Sequence, residues 1–325
     1  MRKDIVTQIQ ETCKTVKENV ERVIVGKGEV VELVIVTLLC EGHILLDDVP
    51  GIGKTMLAKS IAKSLGCSFG RIQFTPDLLP SDITGTHIFN QKNSEFEYKP
   101  GPVMAQIVLA DEINRATPRT QSALLEAMQE RQVTVEGETK HLTRPFMVLA
   151  TQNPIELEGT FPLPEAQLDR FLMKIRLGYP TMDDDRVILS RFRQTNPLDE
   201  LDSVVSADEL IQMQIACHEV HATADIEDYV IRLVHATRDH EYVELGGSPR
   251  AMLALFQAAQ SYAALKGRSY IMPDDVKYLA RSVLSHRIVL KAESYLRGIN
   301  AEQALEEIVD TVPVPVEAQA GAEER

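Results

Sequence analysis

The segment Pro50-Gly51-Ile52-Gly53-Lys54-Thr55 decides the fold of this chain. It follows an apolar segment, Ile44–Leu46, and precedes residues whose apolar side chains recur at three- and four-residue spacing, namely Met56, Leu57, Ile61 and Leu65. This order predicts a strand, a glycine-rich turn and a helix. Backbone N–H groups converge at such a helix N-terminus, where the helix dipole favours negative charge. The sequence therefore predicts a phosphate-binding loop.

Each residue type in the loop suits a nucleotide. Gly51 and Gly53 supply backbone that can approach phosphate closely, and Lys54 can reach the β- and γ-phosphates as a point charge. The hydroxyl of Thr55 is expected to ligate magnesium. Asp48 departs from the general pattern G-x-x-x-x-G-K-[ST], because it stands where the first glycine belongs. The alternative is a glycine turn beside an exposed lysine, but the flanking strand and helix favour phosphate binding.

A second acidic element follows another apolar segment. The predicted strand Gln106–Ala110 ends at Asp111 and Glu112. Ligands of α/β proteins sit at the carboxyl ends of strands. We expect Asp111 to act on the magnesium shell and Glu112 to be the general base toward the attacking water. Taken alone, this pair could equally be a strand end followed by a solvated turn.

The first two-thirds of the chain alternates short apolar segments with helical patterns, which predicts a parallel sheet flanked by helices. A further helix is expected over about Thr120 to Glu130. The predicted strands are Ile44–Leu46, Phe69–Phe74, Gln106–Ala110 and Phe146–Thr151. The predicted hairpins pair His87–Phe89 with Phe96–Tyr98, and Gln132–Val135 with Thr139–Leu142.

The β-rich pattern stops after Tyr179-Pro180 and the chain becomes helical. We therefore predict an α/β domain over residues 1–180, a helical domain over 181–312 and a disordered tail over 313–325, rich in Pro, Ala and Glu. The predicted helices of the second part are Ala207–Val220, Ile226–Thr237, Pro249–Lys266, Pro273–His286 and Ala301–Val309.

Composition narrows the choice of function. The chain of 325 residues has 48 acidic and 34 basic side chains, and its net charge of −14 disfavours nucleic acid over most of the surface. The apolar stretch Val30–Cys40 is interrupted by Glu32 and Thr37 and is too short to span a bilayer. The N-terminus lacks the apolar block of a secretory signal, so we expect a cytoplasmic protein.

The cysteines and histidines suggest no metal or disulfide framework. The four cysteines are far apart and form no C-x-x-C pair. His218 and His221 are spaced so that they would share a helix face, but the His-Glu-x-x-His order and a third ligand are missing. We interpret both histidines as polar positions on a helix.

Five ordered segments together resemble the MoxR family of AAA+ ATPases over roughly residues 20 to 290. An acidic residue is common at the Asp48 position of that family. The segments are Leu46–Thr55, Leu109–Ala116, Ala150–Pro154, Leu163–Phe171 and Gly247–Ala251. The resemblance implies an AAA+ parallel sheet flanked by helices, followed by a smaller all-helical lid domain.

The resemblance also implies roles for residues that the pattern alone leaves open. Asn153 would be the polar sensor that orients the attacking water, although Asn before Pro154 is more often a plain turn residue. Arg170 would be an arginine finger inserted into the neighbouring subunit's site. Arg250 would be a second sensor that contacts the γ-phosphate. The implied set of nucleotide-binding residues is Val25, Gly26, Pro50, Gly51, Ile52, Gly53, Lys54, Thr55, Met56 and Asp111.

Two inserted segments complete the resemblance. Pro76–Gly85 with the hairpin that follows resembles the helix-2 insert of this branch, and Gln132–Leu142 resembles the hairpin before the first sensor. Such elements usually face a central pore or a client. Arg115 and Arg119 could face a subunit interface or be solvated charges.

The function implied is Mg²⁺-dependent ATP hydrolysis by a ring, expected to be hexameric, with a chaperone-like role toward partner proteins that carry von Willebrand A domains. A nucleic-acid motor of a related branch is one alternative, which the acidic composition disfavours. A nucleotide-gated scaffold with little turnover is another.

Overall fold

The computed structural model describes residues 3–154 and 159–315. Its helices are α1 (Lys3–Glu21), α2 (Gly28–Leu39), α3 (Lys54–Ser64), α4 (Pro80–Thr84), α5 (Pro118–Glu130), α6 (Glu165–Leu168), α7 (Met182–Arg191), α8 (Ala207–Cys217), α9 (Ala224–Asp239), α10 (Pro249–Leu265), α11 (Pro273–Leu284), α12 (Ala292–Leu296) and α13 (Ala301–Thr311). Its strands are β1 (Ile44–Asp47), β2 (Phe69–Gln73), β3 (Gly85–Asn90), β4 (Glu95–Pro100), β5 (Ile107–Asp111), β6 (Gln132–Val135), β7 (Glu138–His141), β8 (Met147–Gln152), β9 (Met173–Ile175), β10 (Val243–Leu245) and β11 (Val289–Leu290).

The central sheet has five parallel strands in the order β2-β5-β8-β1-β9. The chain leaves β1 and crosses β8 and β5 to reach β2, whereas it leaves β8 to reach β9 on the other side of β1. The carboxyl ends of β1, β5 and β8 therefore lie side by side near a reversal of strand order, which is where open α/β sheets bind ligands.

Both faces of the sheet are buried, because alternate residues of each strand enter different cores. Ile44 and Leu46 of β1 lie in one cluster with α1, α2, α3 and the helices that follow residue 200. Leu45 lies in the other cluster, with α5 and the hairpin β6–β7. Because the strands are buried on both faces, they appear in the sequence as continuous apolar segments.

The four predicted sheet strands are confirmed within one or two residues. Strand β9 and helices α1, α4, α6, α7 and α12 are among the elements that were not predicted. β9 is only three residues long and has Lys174 at its centre, so its sequence carries too little apolar pattern. Both predicted hairpins form, as β3–β4 and β6–β7.

The later part of the chain is mainly helical, as predicted. Its helices pack against α1 and α2 and against the edge strand β9. Helix α10 packs against α1 and α2, α8 packs against α2, and α11 packs against β9. One antiparallel pair, β10 with β11, lies among these helices and was not predicted, because neither strand exceeds three residues. The predicted tail lies mostly outside the described residues, since only 313–315 of it are described.

Helix α8 ends at Cys217, three residues earlier than predicted. His218 follows the helix, and His221 lies beyond it in an isolated bridge with Tyr270. The premise that the two histidines share a helix face was therefore wrong. In residues 3–154 and 159–315, no three His, Cys, Asp or Glu side chains converge as a metal centre would require. None of the helices within those ranges combines the length and apolar character of a membrane span.

Candidate nucleotide-binding site

The loop between β1 and α3 adopts the conformation that its glycines predict. Gly51 and Gly53 have φ values of 86° and 95°, in the left-handed region that other residues rarely adopt. A side chain at either glycine would meet no atom within 4 Å, so the requirement is conformational and the space above the loop is open. Gly53 caps α3 without a side chain, which leaves the first N–H groups of α3 directed at that space.

The loop and the carboxyl ends of neighbouring strands enclose a cavity of about 340 Å³. Nine residues predicted to bind nucleotide or act in catalysis line it together with two that were not predicted. The predicted lining residues are Pro50, Gly51, Gly53, Lys54, Thr55, Met56, Asp111, Glu112 and Asn153. Ile52, in contrast, packs against the hydrophobic core, so it supports the loop from beneath.

Lys54 is the buried cation of this cavity, with only 9% of its surface exposed. Its Nζ donates a hydrogen bond to the carbonyl oxygen of Asp48 at 2.6 Å. Burial lowers the pKa of Lys54, against the opposing field of the carboxylates of Asp48, Asp111, Asp47 and Glu112. The carboxylates thus help to keep the ammonium group charged, and because Nζ is desolvated, a phosphate that reaches it would form a strong charge-assisted contact.

Asp48, which departs from the general loop pattern, has a structural task. Its carboxylate is buried and accepts hydrogen bonds from the backbone N–H groups of Leu177 and Gly178. Those residues follow β9 and lead to α7. Asp48 therefore ties the predicted phosphate-binding loop to the segment that follows β9, a contact that glycine could not make.

Strand β8 fixes the acidic pair at the end of β5. The hydroxyl of Thr151 donates to Oδ1 of Asp111 at 2.7 Å and accepts from the backbone N–H of Glu112 at 2.8 Å. Glu112 has a φ of 58°, a left-handed conformation that is unfavourable for glutamate. The turn that presents the Glu112 carboxylate to the cavity is thus held by a side chain on the neighbouring strand.

Arg71 and Gln73 of β2 also line the cavity, and neither was predicted from the sequence. Parallel pairing places Gln73 opposite Asp111. The sequence did carry a signal for these two residues. Arg71 and Gln73 are polar residues two positions apart near the end of β2, and the strand beside it ends in two acids.

The donor set fits a hard divalent cation. Asp111 and Thr55 line the same cavity and offer a carboxylate and a hydroxyl oxygen. Magnesium prefers such oxygen ligands and usually takes only one or two from protein, with water and phosphate completing its shell. Asp111 and Thr55 could therefore hold Mg²⁺ beside a phosphate at Lys54.

Val25 and Gly26 are not among the residues that line this cavity. Val25 is half-buried and Gly26 is exposed with a φ of 71°. A side chain at Gly26 would come within 2.3 Å of the Asp184 carboxylate at the start of α7. The two residues predicted to contact the adenine therefore lie just before α2 and close to the start of α7.

Arg170 and Arg250 line a different cavity, of about 410 Å³, together with Glu41, His43 and Arg287. Arg170 precedes β9, and the predicted phosphate-binding loop follows β1, although the two strands are parallel neighbours. The two features therefore lie at opposite edges of a sheet whose four-residue β1 spans about 13 Å. Arg250, at the start of α10, accompanies Arg170 rather than Lys54.

A buried ion pair organises this second edge. Arg287 donates through Nε to Oδ1 of Asp169 at 2.7 Å, and only 2% of its side chain is exposed. Arg287 also donates to the carbonyl oxygens of Phe171 and Leu172, at 2.7 and 2.9 Å. Asp169 further accepts from the hydroxyl of Ser248, the N-cap of α10, at 3.3 Å. The turns that carry Arg170 and Arg250 are therefore joined through one carboxylate.

The two arginines after β5 have different surroundings. Arg115 forms an ion pair with Glu112, with NH1 2.9 Å from Oε2. Arg119 is exposed at the start of α5. Arg115 therefore lies beside the acidic pair of its own chain, whereas Arg119 stays at the surface.

Comparison with known families agrees with this geometry. Residues 43–173 match the ATPase family associated with various cellular activities (AAA), and residues 235–308 match the AAA lid domain. The first match begins just before β1, ends at the first residue of β9 and includes Lys54, Glu112 and Arg170, whereas Arg250 and Arg287 lie in the second match.

Similar proteins cover nearly the whole chain. An uncharacterised Bacillus subtilis protein, YeaC, is 52% identical over 93% of this chain and 95% of its own length. Chaperone MoxR1 of Mycobacterium tuberculosis is 45% identical over 91% of this chain and 80% of its own. A crystal structure of a Cytophaga hutchinsonii protein superposes with a TM-score of 0.91 at 40% identity, covering 96% of this chain and 98% of that one.

Proposed function

Because the chain belongs to the MoxR family of AAA+ ATPases, we propose that it hydrolyses ATP with Mg²⁺ and uses that hydrolysis to remodel or activate partner proteins. The observation that carries the proposal is the convergence of Lys54, Thr55, Asp111, Glu112 and Asn153 in one cavity at the carboxyl edge of the sheet. A phosphate-binding loop, two acids and a polar amide are the groups that phosphoryl transfer to water requires.

In this mechanism the chain's own residues divide the work. Lys54 and the first N–H groups of α3 hold the phosphates, and Glu112 accepts the proton of the attacking water. Asn153 orients that water. Asp111 and Thr55 would hold Mg²⁺, which would supply positive charge to offset that of the phosphates, and Val25 and Gly26 would contact the adenine.

We propose that the active unit is a ring, expected to be a hexamer, in which Arg170 acts on the neighbour's nucleotide. The support is geometric, since Arg170 stands at the edge of the sheet opposite its own Lys54. Arg250 shares the cavity of Arg170, so we assign it to the same neighbouring phosphate. Two cations delivered from one side would offset charge that develops on the γ-phosphoryl group.

We propose that clients contact the β3–β4 hairpin, which corresponds to the predicted helix-2 insert. Phe89 and Phe96 form an edge-to-face pair at 5.4 Å and are 53% and 71% exposed. Exposed apolar side chains that cluster on a projecting element favour a protein contact. Proteins with von Willebrand A domains are the partners that we expect. The similarity to chaperone MoxR1 supports a chaperone-like role in general.

We also propose the division into a nucleotide-binding domain over residues 1–180, a lid over 181–312 and a tail thereafter. The family matches, which end at residue 173 and resume at 235, support a boundary between them. The break at Tyr179-Pro180 falls in that interval.

Lys54→Ala should abolish ATP binding, because the cavity loses its buried cation. Titration of a fluorescent ATP analogue measures this loss. Lys59→Ala is the matched control, since Lys59 is an exposed lysine on the same helix. Equal affinity of the Lys54 variant and the parental protein would refute the phosphate-binding assignment.

Glu112→Gln should bind ATP yet fail to hydrolyse it, because the amide keeps the shape of the side chain but cannot accept the proton. Steady-state phosphate release and nucleotide binding should be measured on the same preparation. Glu126→Gln, at an exposed position of α5, is the control for the charge change. Turnover by Glu112→Gln near the parental rate would mean that another residue is the base.

A further inference from the structure

Two side chains on β2 engage the acidic pair of the site. Arg71 donates through NH2 to Oδ2 of Asp111 at 2.7 Å and to Oε1 of Gln73 at 2.6 Å. Gln73 in turn donates through Nε2 to Oε2 of Glu112 at 3.0 Å. These contacts form a single hydrogen-bonded chain along the cavity wall that links both acids to β2.

With the Arg71 contact, each oxygen of the Asp111 carboxylate accepts one hydrogen bond. Oδ1 is taken by the hydroxyl of Thr151 and Oδ2 by the guanidinium of Arg71. Each oxygen keeps a second lone pair, but a divalent cation bound by this carboxylate would lie close to the positively charged guanidinium, so it competes electrostatically with the ion pair. The Arg71 side chain is 47% exposed, which makes that pair weak enough to exchange.

Gln73 holds Arg71 in this position. Its amide has a defined orientation, because arginine can only donate and an ionised carboxylate can only accept. The amide oxygen must therefore face Arg71 while the amide nitrogen faces Glu112. Arg71 is thus fixed by two acceptors, one from Asp111 and one from its own strand.

We propose that Arg71 is a positioning residue that acts as an internal counter-cation to Asp111 and must exchange with the divalent cation when nucleotide binds. Arg71 then keeps the cation position of Asp111 closed to free Mg²⁺, and the combined charge of Mg²⁺ with phosphates at Lys54 opens it. This inference rests on the proposed function, because it assigns the entry of the cation to the same site.

The test measures the Mg²⁺ dependence of nucleotide binding rather than turnover. A fluorescent ATP analogue is titrated onto the protein at increasing Mg²⁺. Arg71→Ala should lower the Mg²⁺ concentration for half-maximal binding by about two- to fivefold, the range expected for loss of one exposed ion pair. Gln73→Ala should shift it in the same direction by less, and Arg71→Lys, which keeps the charge, should lie nearer the parental value.

Arg281→Ala is the matched control, because it removes an arginine of similar exposure that pairs with Glu302 rather than with an acid of the site. It should leave the Mg²⁺ dependence unchanged. A second readout needs no nucleotide: Mg²⁺ alone should raise the Tm of Arg71→Ala more than that of the parental protein.

An unchanged Mg²⁺ midpoint and Tm response in Arg71→Ala would overturn the inference, and so would a higher Mg²⁺ requirement, which would place Arg71 on the phosphates instead. Parental protein that bound no nucleotide would refute the proposed function. The Mg²⁺ effect on Tm would still decide the role of Arg71 in that case.

Discussion

The two edges of the central sheet are built on different principles. At the carboxyl edge, Arg71, Gln73 and Arg115 hold the acidic pair through contacts near the cavity surface, and Glu112 has an unfavourable backbone conformation. At the amino edge, a guanidinium that is almost fully buried anchors the turn of Arg170 through carbonyl oxygens and Asp169.

The difference indicates what each edge must do. Exposed ion pairs and hydrogen bonds exchange easily, so the carboxyl edge can rearrange when a ligand brings its own charges. A buried guanidinium with several acceptors cannot move without a large loss, so the amino edge keeps Arg170 and Arg250 in a fixed relation. Such rigidity would suit the role proposed for Arg170, which is contact with a neighbouring subunit's nucleotide.

The largest expected effect tests whether the two edges cooperate between subunits. Arg170→Ala should bind ATP normally but lose activity on the order of three powers of ten, as arginine fingers do. Lys54→Ala should be inactive because it cannot bind. When the two variants exchange subunits, the intact Arg170 of one can serve the intact loop of the other, so ATPase activity should return.

Recovery should scale with the fraction of mixed neighbour pairs, measured by phosphate release as the ratio of the variants is changed. Arg250→Ala should complement Lys54→Ala in the same way if both arginines act across the interface. If demonstrated mixed rings stay inactive, Arg170 must work within its own chain or in structure only.

A smaller effect concerns the rigidity of the amino edge. Asp169→Asn should lower the free energy of unfolding by about 3 kcal/mol, because Arg287 stays buried without its counter-charge. This is the low end of the usual range, since 21% of the Asp169 side chain is exposed. Urea unfolding measures the change.

Asp183→Asn is the control, because it breaks an ion pair with Arg186 in which both side chains are well exposed. It should alter stability little. Equal stability of Asp169→Asn and the parental protein would show that Arg287 is held by its carbonyl acceptors alone.

The smallest expected effect is a pH dependence at the start of β1. Burial lowers the pKa of His43 to about 4, and the neutral ring accepts from the N–H of Val148 and donates to the carbonyl of Met128. Between the unfolded value of about 6.5 and the folded one, the unfolded chain binds more protons, so stability must fall as pH falls. The loss from His43 between pH 7 and pH 5 is about 2 kcal/mol.

Unfolding by urea at both pH values checks this expectation. His43→Gln can accept and donate at similar positions without titrating, so it should show a shallower fall. His286 contributes a further slope, because burial and then Arg287 lower its pKa as well. An equal fall in His43→Gln and the parental protein would contradict the role of His43.

Most of the sheet could be read from the sequence because its strands are buried on both faces and appear as continuous apolar segments. β9 escaped prediction because Lys174 interrupts its three residues, with Nζ 2.7 Å from the Asp47 carboxylate. That charge is compensated only in three dimensions. The bounds of α8 were misplaced for a related reason, since its apolar pattern continues past Cys217 to the buried Val220.

The sequence by itself determined the glycine-rich turn between β1 and α3, the acidic pair and the mainly helical character of the later chain, because glycine conformation, charge and hydrophobic period are local properties. Only the tertiary structure decided which polar groups meet. Arg71 reaches Asp111 through strand pairing across 40 positions, Asp48 reaches Gly178 across 130, and Arg287 reaches Asp169 across 118. These contacts depend on the order of strands and the packing of the lid helices, and no local pattern records either one.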